Sequence, residues 1–116
     1  MEELVSRLFA LRDASHLAHW ATNSFAEHEA LGEFYDALID RIDAVVEAYQ
    51  GSYGLIKTVK PIEYRKDDIL GQIIEEANWI ADHREDIARG NTVIENQLDE
   101  LGAFYLSTAY KLRFLS

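Results

Sequence analysis

The end of the chain decides the fold: residues 92–115 read TVIENQLDELGAFYLSTAYKLRFL. Thr92 and Glu95 have the spacing of a capping box, in which a hydroxyl and a carboxylate satisfy free N–H groups of a helix's first turn. Gly90, just before the segment, suits the left-handed end of a preceding helix. A mostly apolar stripe then recurs at alternating steps of four and three positions, which places on one helix face Ile94, Leu98, Leu101, Tyr105, Thr108, Leu112 and Leu115. The segment therefore predicts an amphipathic helix over residues 92–114.

The same period recurs in the rest of the chain. Ser24 and Glu27 form a second capping box, which marks the start of a helix after a short turn. The apolar stripes predict three further helices, over residues 2–21, 24–50 and 66–89.

One segment, residues 51–65, breaks the helical period. It contains two glycines and the only proline of the chain, so we expect Gly51 to end the second helix and the segment to form a crossover. The sequence therefore predicts an all-α fold, a ferritin-like four-helix bundle in which one long crossover joins two helical hairpins, 1–50 and 66–116. A chain of 116 residues is expected to form a single domain, 1–116.

The composition excludes several classes of function. Against 21 Asp and Glu stand 11 Lys and Arg, which give a net charge of −10 and argue against binding to nucleic acid or to an anionic membrane. The absence of cysteine excludes disulfides, thiolate metal sites and cysteine nucleophiles. No apolar run approaches the roughly 18 residues of a membrane span, and the acidic N-terminus lacks the basic region of a secretory signal. We therefore expect a cytoplasmic protein with neither a membrane nor nucleic acid as its partner.

Four carboxylates follow one another along the second helix at steps of four, three and four positions: Asp36, Asp40, Asp43 and Glu47, called the acidic row below. At 100° per residue they fall within an arc of roughly 60°, away from the apolar stripe. Like charges at this spacing repel each other by a few tenths of a kcal/mol per pair. A solvated surface, a bound metal and a basic partner each explain such a row.

Three of the four histidines cluster in sequence: His16, His19 and His28 lie on both sides of the first tight turn. Imidazoles at the closed end of a helical hairpin, with carboxylates further along one helix, form a nitrogen and oxygen donor set suited to iron, zinc or manganese. The fourth, His83, lies in a polar stretch and is expected to face solvent.

The spacing of these residues resembles that of the Dps mini-ferritins. That family has His-Trp late in the first helix and His-Glu-x-x-Asp early in the second, followed by Asp-x-x-x-Glu. This chain has His19-Trp20 and His28-Glu29 in the corresponding places, and the final pair in residues 43–47. The first residue of that pair, an aspartate, follows His28 by fifteen positions, as it does in the family.

The resemblance implies a metal site between two subunits, where ferrous iron is oxidised. The imidazoles of His19 and His28 would come from one chain, and the carboxylates of Asp43 and Glu47 from the other. The surroundings of the metal would comprise Trp20, Glu33, Asp36 and His16.

Gly32 stands where the family has an acidic ligand of the second iron position. The resemblance therefore implies one firmly bound metal ion (iron, or zinc or manganese) and weak ferroxidase activity, which Gly32→Asp is expected to raise. It also implies self-association, at least as a two-fold dimer and up to a dodecamer-like shell.

The alternative is a metal-free acidic four-helix protein that keeps the ferritin-like fold without catalytic activity. Short divergent ferritin-like domains of unassigned role, some of them encoded by bacteriophages, are similar in compactness. The acidic row would then bind a basic surface of another macromolecule. Metal content and solution mass together discriminate between the two hypotheses.

Overall fold

The computed structural model describes all residues, 1–116, and contains four α-helices and no strand. These helices are α1 (Glu2–Ala21), α2 (Phe25–Tyr53), α3 (Ile69–Ala88) and α4 (Thr92–Phe114). The prediction of an all-α four-helix bundle is therefore confirmed.

The path of the crossover, residues 54–68, sets the arrangement of the helices. It begins beside the N-terminus of α1, where the backbone N–H of Lys57 donates to the Glu2 carboxylate at 2.7 Å. Further along, the Ser6 hydroxyl donates to the backbone carbonyl of Lys60 at 2.6 Å. The crossover thus follows α1 towards its C-terminal end, where α3 begins.

The four helices surround one core, with α1 and α4 each packed against both α2 and α3. Neighbouring helices are antiparallel, because the crossover returns the chain along the bundle before α3 starts. A single apolar cluster joins them, and its largest fully buried members are Tyr105, Phe34, Leu4, Leu8, Leu31, Leu38, Ile73, Ile94, Leu98 and Leu101. Burying each such side chain stabilises the fold by roughly 1.5–3 kcal/mol. This cluster contains most of the predicted stripes, but Leu115 lies beyond α4 and is exposed.

Two helix starts test the predicted capping boxes. The Ser24 side chain accepts the N–H of Glu27 at 3.2 Å and caps α2, as predicted, but the N–H of Ser24 donates to the Thr22 hydroxyl and not to the Glu27 carboxylate. At α4 the prediction is wrong, because the cap is Asn91, whose side chain accepts the N–H of Val93 at 2.9 Å. Thr92 is instead the first residue of the helix. The Asn91 amide oxygen accepts the free N–H groups of Val93 and Ile94 and takes the place of the predicted hydroxyl.

The ends of α2 and α3 also differ in detail from the prediction. Helix α2 passes through Gly51 and ends at Tyr53. Gly54 caps it with a φ of 91°, a backbone conformation that glycine adopts readily and other residues rarely do. Helix α3 starts at residue 69 and not 66, because the Asp68 side chain caps it by accepting the N–H of Gly71. The predicted left-handed end at Gly90 is confirmed, with a φ of 83°.

Candidate functional site

The two histidines beside the first turn are locked together. The rings of His19 and His28 stack with their centroids 3.7 Å apart and their planes 17° from parallel. The Nδ1 atom of His19 lies 2.6 Å from the carbonyl oxygen of His28, and Nδ1 of His28 lies 2.8 Å from the carbonyl oxygen of His19. We call these two residues the histidine pair. Their reciprocal bonds join the last turn of α1 to the first turn of α2.

The hydrogen bonds of the histidine pair determine where its protons lie. A carbonyl oxygen only accepts hydrogen bonds, so Nδ1 is the donor in both rings. In the neutral imidazole the lone pair is then on Nε2, the atom that can bind a metal ion. A backbone carbonyl that holds the second nitrogen is the usual support of a metal-binding histidine, because it fixes both the tautomer and the ring orientation. Both rings are half-buried, as such a site requires.

Aromatic side chains surround the histidine pair. His16 stacks on Tyr35, with centroids 3.9 Å apart, and contacts Trp20 at 4.5 Å. The ring centroid of His16 lies 6.2 Å from that of His19. The structure therefore brings together the three N-terminal histidines and the tryptophan named from the sequence. Trp20 remains 68% exposed, which leaves a broad aromatic surface beside the imidazoles.

Gly32 lies directly under the ring of His19. A Cβ added to Gly32 would stand 3.0 Å from Cε1 of His19 and 3.3 Å from its Nδ1. The imidazole of His19 thus lies in the space that a side chain at position 32 would need. A side chain at position 32 requires the ring of His19 to shift by a few tenths of an ångström, so Gly32→Asp would disturb the imidazole that it was expected to assist.

The acidic row is exposed along its whole length, and no ion pair within the chain neutralises it. Arg41, the cation in its midst, turns away and lies over the ring of Phe104 at 4.0 Å. Glu33, which the resemblance placed near the metal, pairs with Lys111 of α4 at 3.2 Å. Asp36, the other carboxylate that the resemblance placed near the metal, belongs to the acidic row and lies on its exposed face.

Within one chain, the predicted ligands do not converge. His28 and Asp43 are fifteen positions apart on α2, which is roughly 22 Å along a helix axis. No group of three or more His, Asp or Glu side chains in the chain is arranged to hold a metal ion. A site built from His19, His28, Asp43 and Glu47 therefore requires two chains.

A second polar cluster, between α1 and α3, was not anticipated from the sequence. Arg7 Nε lies 3.5 Å from the Glu76 carboxylate, and its guanidinium lies 4.6 Å from the ring centroid of Trp79. Burial raises the pKa of Glu76, and the opposing charge of Arg7 only partly offsets that effect. His83 is half-buried and stacks on Trp79 at 4.1 Å, so the expectation that it faces solvent is wrong. The Arg7–Glu76 pair depends on a contact between helices, which periodicity alone does not give, whereas His83 and Trp79 stack within α3 at a spacing of four residues.

A concavity of about 480 Å³ lies between the end of α1 and the end of the crossover. The buried side chain of Gln72 reaches this region, but its amide already donates to the backbone carbonyls of Arg65 and Asp67. The polar atom best placed to bind a ligand is thus committed to holding the crossover. Its role is structural.

Comparison with known proteins supplies a family without an assigned role. Residues 19–112 match the model of DUF5856, a family of unknown function. This match spans most of the 116 residues, and the chain belongs to that family. Neither the curated proteins nor the solved structures contain a significant match. None of the four helices combines the length and the apolar character that crossing a membrane requires.

Proposed function

We propose that this member of DUF5856 binds a divalent transition metal at sites shared between two copies of the chain. One copy contributes Nε2 of His19, with His28 beside it, and the other contributes the partner's Asp43 and the partner's Glu47. Iron is the expected ion, with zinc and manganese as the alternatives that suit the same donors. The observation that carries the proposal is the histidine pair, in which both Nδ1–H groups are held by carbonyls and both Nε2 atoms are left for a ligand.

Helix geometry supports a two-fold arrangement of this kind. If two α2 helices pack antiparallel about a point near Asp36, His28 of each copy lies opposite the acidic end of the other. The two sites are then separated by roughly 25 Å, because about seventeen helical positions lie between them. Two acidic rows brought face to face repel each other, and cations bound at both ends reduce that repulsion. The proposal therefore links dimer formation to metal binding.

The donor set also determines the chemistry that we expect. One imidazole, that of His19, and two carboxylates hold one ion and leave room for water or an oxidant. His28 lies beside the ion, because nearly parallel stacked rings cannot both direct Nε2 at one ion. Gly32 contributes no ligand for a second ion, since its place is filled by the ring of His19. Ferrous iron is then a substrate that binds singly, and its oxidation is expected to be slow. The resemblance to the Dps mini-ferritins supports the same chemistry.

Metal content and solution mass test the proposal with one isosteric variant. Glu47→Gln removes a charge from an exposed side chain that has no ion-pair partner, so folding is expected to be unaffected. Glu100→Gln is the matched control, because Glu100 is an exposed helical carboxylate outside the acidic row. We expect about one ion per chain and a metal-dependent increase in solution mass in the wild type and in Glu100→Gln. Glu47→Gln is expected to lose both.

Equal metal binding by both variants, or a solution mass that saturating iron, zinc or manganese does not increase, would refute the shared site. The first outcome means that Glu47 is no ligand. The second means that no partner carboxylate reaches the histidine pair.

A metal-free interaction protein is the second candidate, and the unpaired acidic row is the observation that favours it. Four exposed carboxylates without an ion pair attract a basic surface of a partner protein. In this case the wild type does not bind metal ions, but it binds a polylysine probe with an affinity that falls as the salt concentration rises. Glu47→Gln weakens that binding, and Glu100→Gln leaves it unchanged.

A further inference from the structure

An apolar stripe on the outer face of α4 has no partner within the chain. Leu106, Tyr110 and Phe114 follow at steps of four and are 54%, 54% and 69% exposed. The rings of Tyr110 and Phe114 lie 5.9 Å apart and form one continuous surface. Single exposed apolar residues are ordinary, whereas a contiguous row on one helix face indicates a contact with another surface.

The same face has a depression one turn before the stripe. Gly102 lies four positions before Leu106, and a Cβ added to it would meet no atom within 4 Å. Glycine inside a helix destabilises it by about 1 kcal/mol relative to alanine. Neither a positive φ nor a close neighbour in this chain requires glycine at that position. No contact within a single copy accounts for the glycine.

Charge also reverses along this face. On the N-terminal side, Asp99 and Glu95 share one cation, Arg84, at 2.6 Å each, which leaves an excess of negative charge. On the C-terminal side, Arg113 is exposed and has no ion-pair partner. A surface that is negative at one end and positive at the other complements a second copy of itself placed antiparallel.

We propose that this stripe is a two-fold interface between the α4 helices of two copies, with the axis at Leu106. In that register Leu106 meets the partner's Leu106. Tyr110 fills the depression at the partner's Gly102, and Arg113 faces the partner's Asp99. In an antiparallel contact about a two-fold axis, the numbers of facing residues have a constant sum, and all three of these pairs have the same sum. A single register therefore provides the apolar, the steric and the charge contact together.

The area available is consistent with a real but modest interface. Tyr and Phe each bury about 150–250 Å² when fully covered, so the exposed parts of the three stripe residues supply roughly 300 Å² per copy. A standard interface buries about 800 Å² per partner. The remainder must come from the flanking charged residues and the adjacent edge of α3. The interface uses no residue of the histidine pair or the acidic row, so it is independent of the proposed metal site.

Cysteine cross-linking tests the register directly, because the chain contains no cysteine of its own. In the full-length protein, Leu106→Cys places a thiol on the proposed axis, where two helices in contact bring the Cα atoms within the ~4.4–6.8 Å that a disulfide spans. Mild oxidation is expected to convert most of this variant to a covalent dimer. Val93→Cys is the matched control: Val93 is 62% exposed on the same helix, but two copies would lie far apart across the axis.

A mixture of Gly102→Cys and Tyr110→Cys chains adds a test of direction. The antiparallel register predicts disulfides between the two variants and almost none within either one. Chelator and the Glu47→Gln background are expected to leave all these yields unchanged, which separates this proposal from the metal site. Cross-linking of Val93→Cys as fast as Leu106→Cys, or no cross-linking of Leu106→Cys, would overturn the proposal. Like-with-like disulfides at positions 102 and 110 would overturn the antiparallel register.

Discussion

Replacing Gly32 by alanine tests the geometry of the histidine pair without touching either histidine. Alanine normally stabilises a helix interior by about 1 kcal/mol over glycine. Here the new methyl group would stand 3.0 Å from Cε1 of His19, closer than an ordinary van der Waals contact of 3.4–4 Å, so the ring would have to shift by a few tenths of an ångström. The ring has little freedom to retreat, because one face stacks on His28 and its Nδ1–H is bonded to a carbonyl. We therefore expect Gly32→Ala to destabilise the protein.

The magnitude follows from the interactions that the displaced ring loses. The ring of His19 makes one hydrogen bond, worth about 0.5–1.5 kcal/mol, and stacking adds about 0.5–1.5 kcal/mol. Loss of both contacts removes about 2 kcal/mol, against the helix gain of about 1 kcal/mol. The net expectation is a loss of about 1 kcal/mol, or about 4 °C in Tm for a domain of this size. Without the ring, in a His19→Ala background, the same change should stabilise the protein by about 1 kcal/mol.

Urea unfolding of the four proteins of this double-mutant cycle measures the coupling directly. We expect about 2 kcal/mol of coupling between the positions of Gly32 and His19. Gly51→Ala is the control, because an added Cβ there meets no atom within 4 Å, and it should be neutral or slightly stabilising. If Gly32→Ala stabilises wild type and His19→Ala equally, the ring does not occupy the space above Gly32 and the reasoning fails.

Three further predictions concern stability. Asn91→Ala should destabilise the protein by about 1 kcal/mol in urea unfolding, because the Asn91 amide caps α4, and Thr92→Ala should destabilise it by much less. The reverse order would indicate that Thr92 is the cap. Ser15→Ala should raise Tm, because the fully buried Ser15 hydroxyl has no hydrogen-bond partner; a lower Tm would reveal a partner for it. Burial raises the pKa of Glu76 above its ordinary 4.5, so the stability that this group contributes is complete below that pH and is lost as the pH rises through the folded value. Glu76→Gln should therefore flatten the decline above pH 4.5 in unfolding titrations, and an unchanged pH profile would contradict the assignment.

The helices could be predicted from the sequence because their stripes are long and regular. Helix α4 begins and ends where the period of residues 92–114 places it. The errors fall at helix ends, where one hydrogen bond decides the boundary. The helix continues through Gly51 because nothing there requires a positive φ, and Asp68 delays α3 by capping it. Such local choices depend on side-chain geometry, which periodicity does not contain.

The histidine cluster was predictable for a similar reason. A tight turn between two helices necessarily brings His19 and His28 to the same end of the hairpin. The tautomer of the rings was not predictable, since it depends on which carbonyl each Nδ1 reaches. The role of Gly32 was not predictable either. Comparison with the family's motif shows that a carboxylate is missing there, but it does not show that the ring of His19 lies against the glycine. The partner of Glu33 lies on α4, and only the packing of the two hairpins shows it.

Two features of this chain are unfavourable in a single copy, and each lies on a surface for which a second copy is the proposed occupant. The acidic row contains two pairs of like charges at i, i+4, which destabilise α2 by a few tenths of a kcal/mol each. Gly102 destabilises α4 by about 1 kcal/mol with no compensating contact in the chain. The row lies on α2 and the depression on α4, so the two surfaces belong to different two-fold axes. A chain with two distinct two-fold interfaces assembles beyond a dimer, and blocking either interface leaves dimers joined by the other. Metal should then control only the contact through α2, so that chelation reduces the assembly to α4-linked dimers and not to monomers.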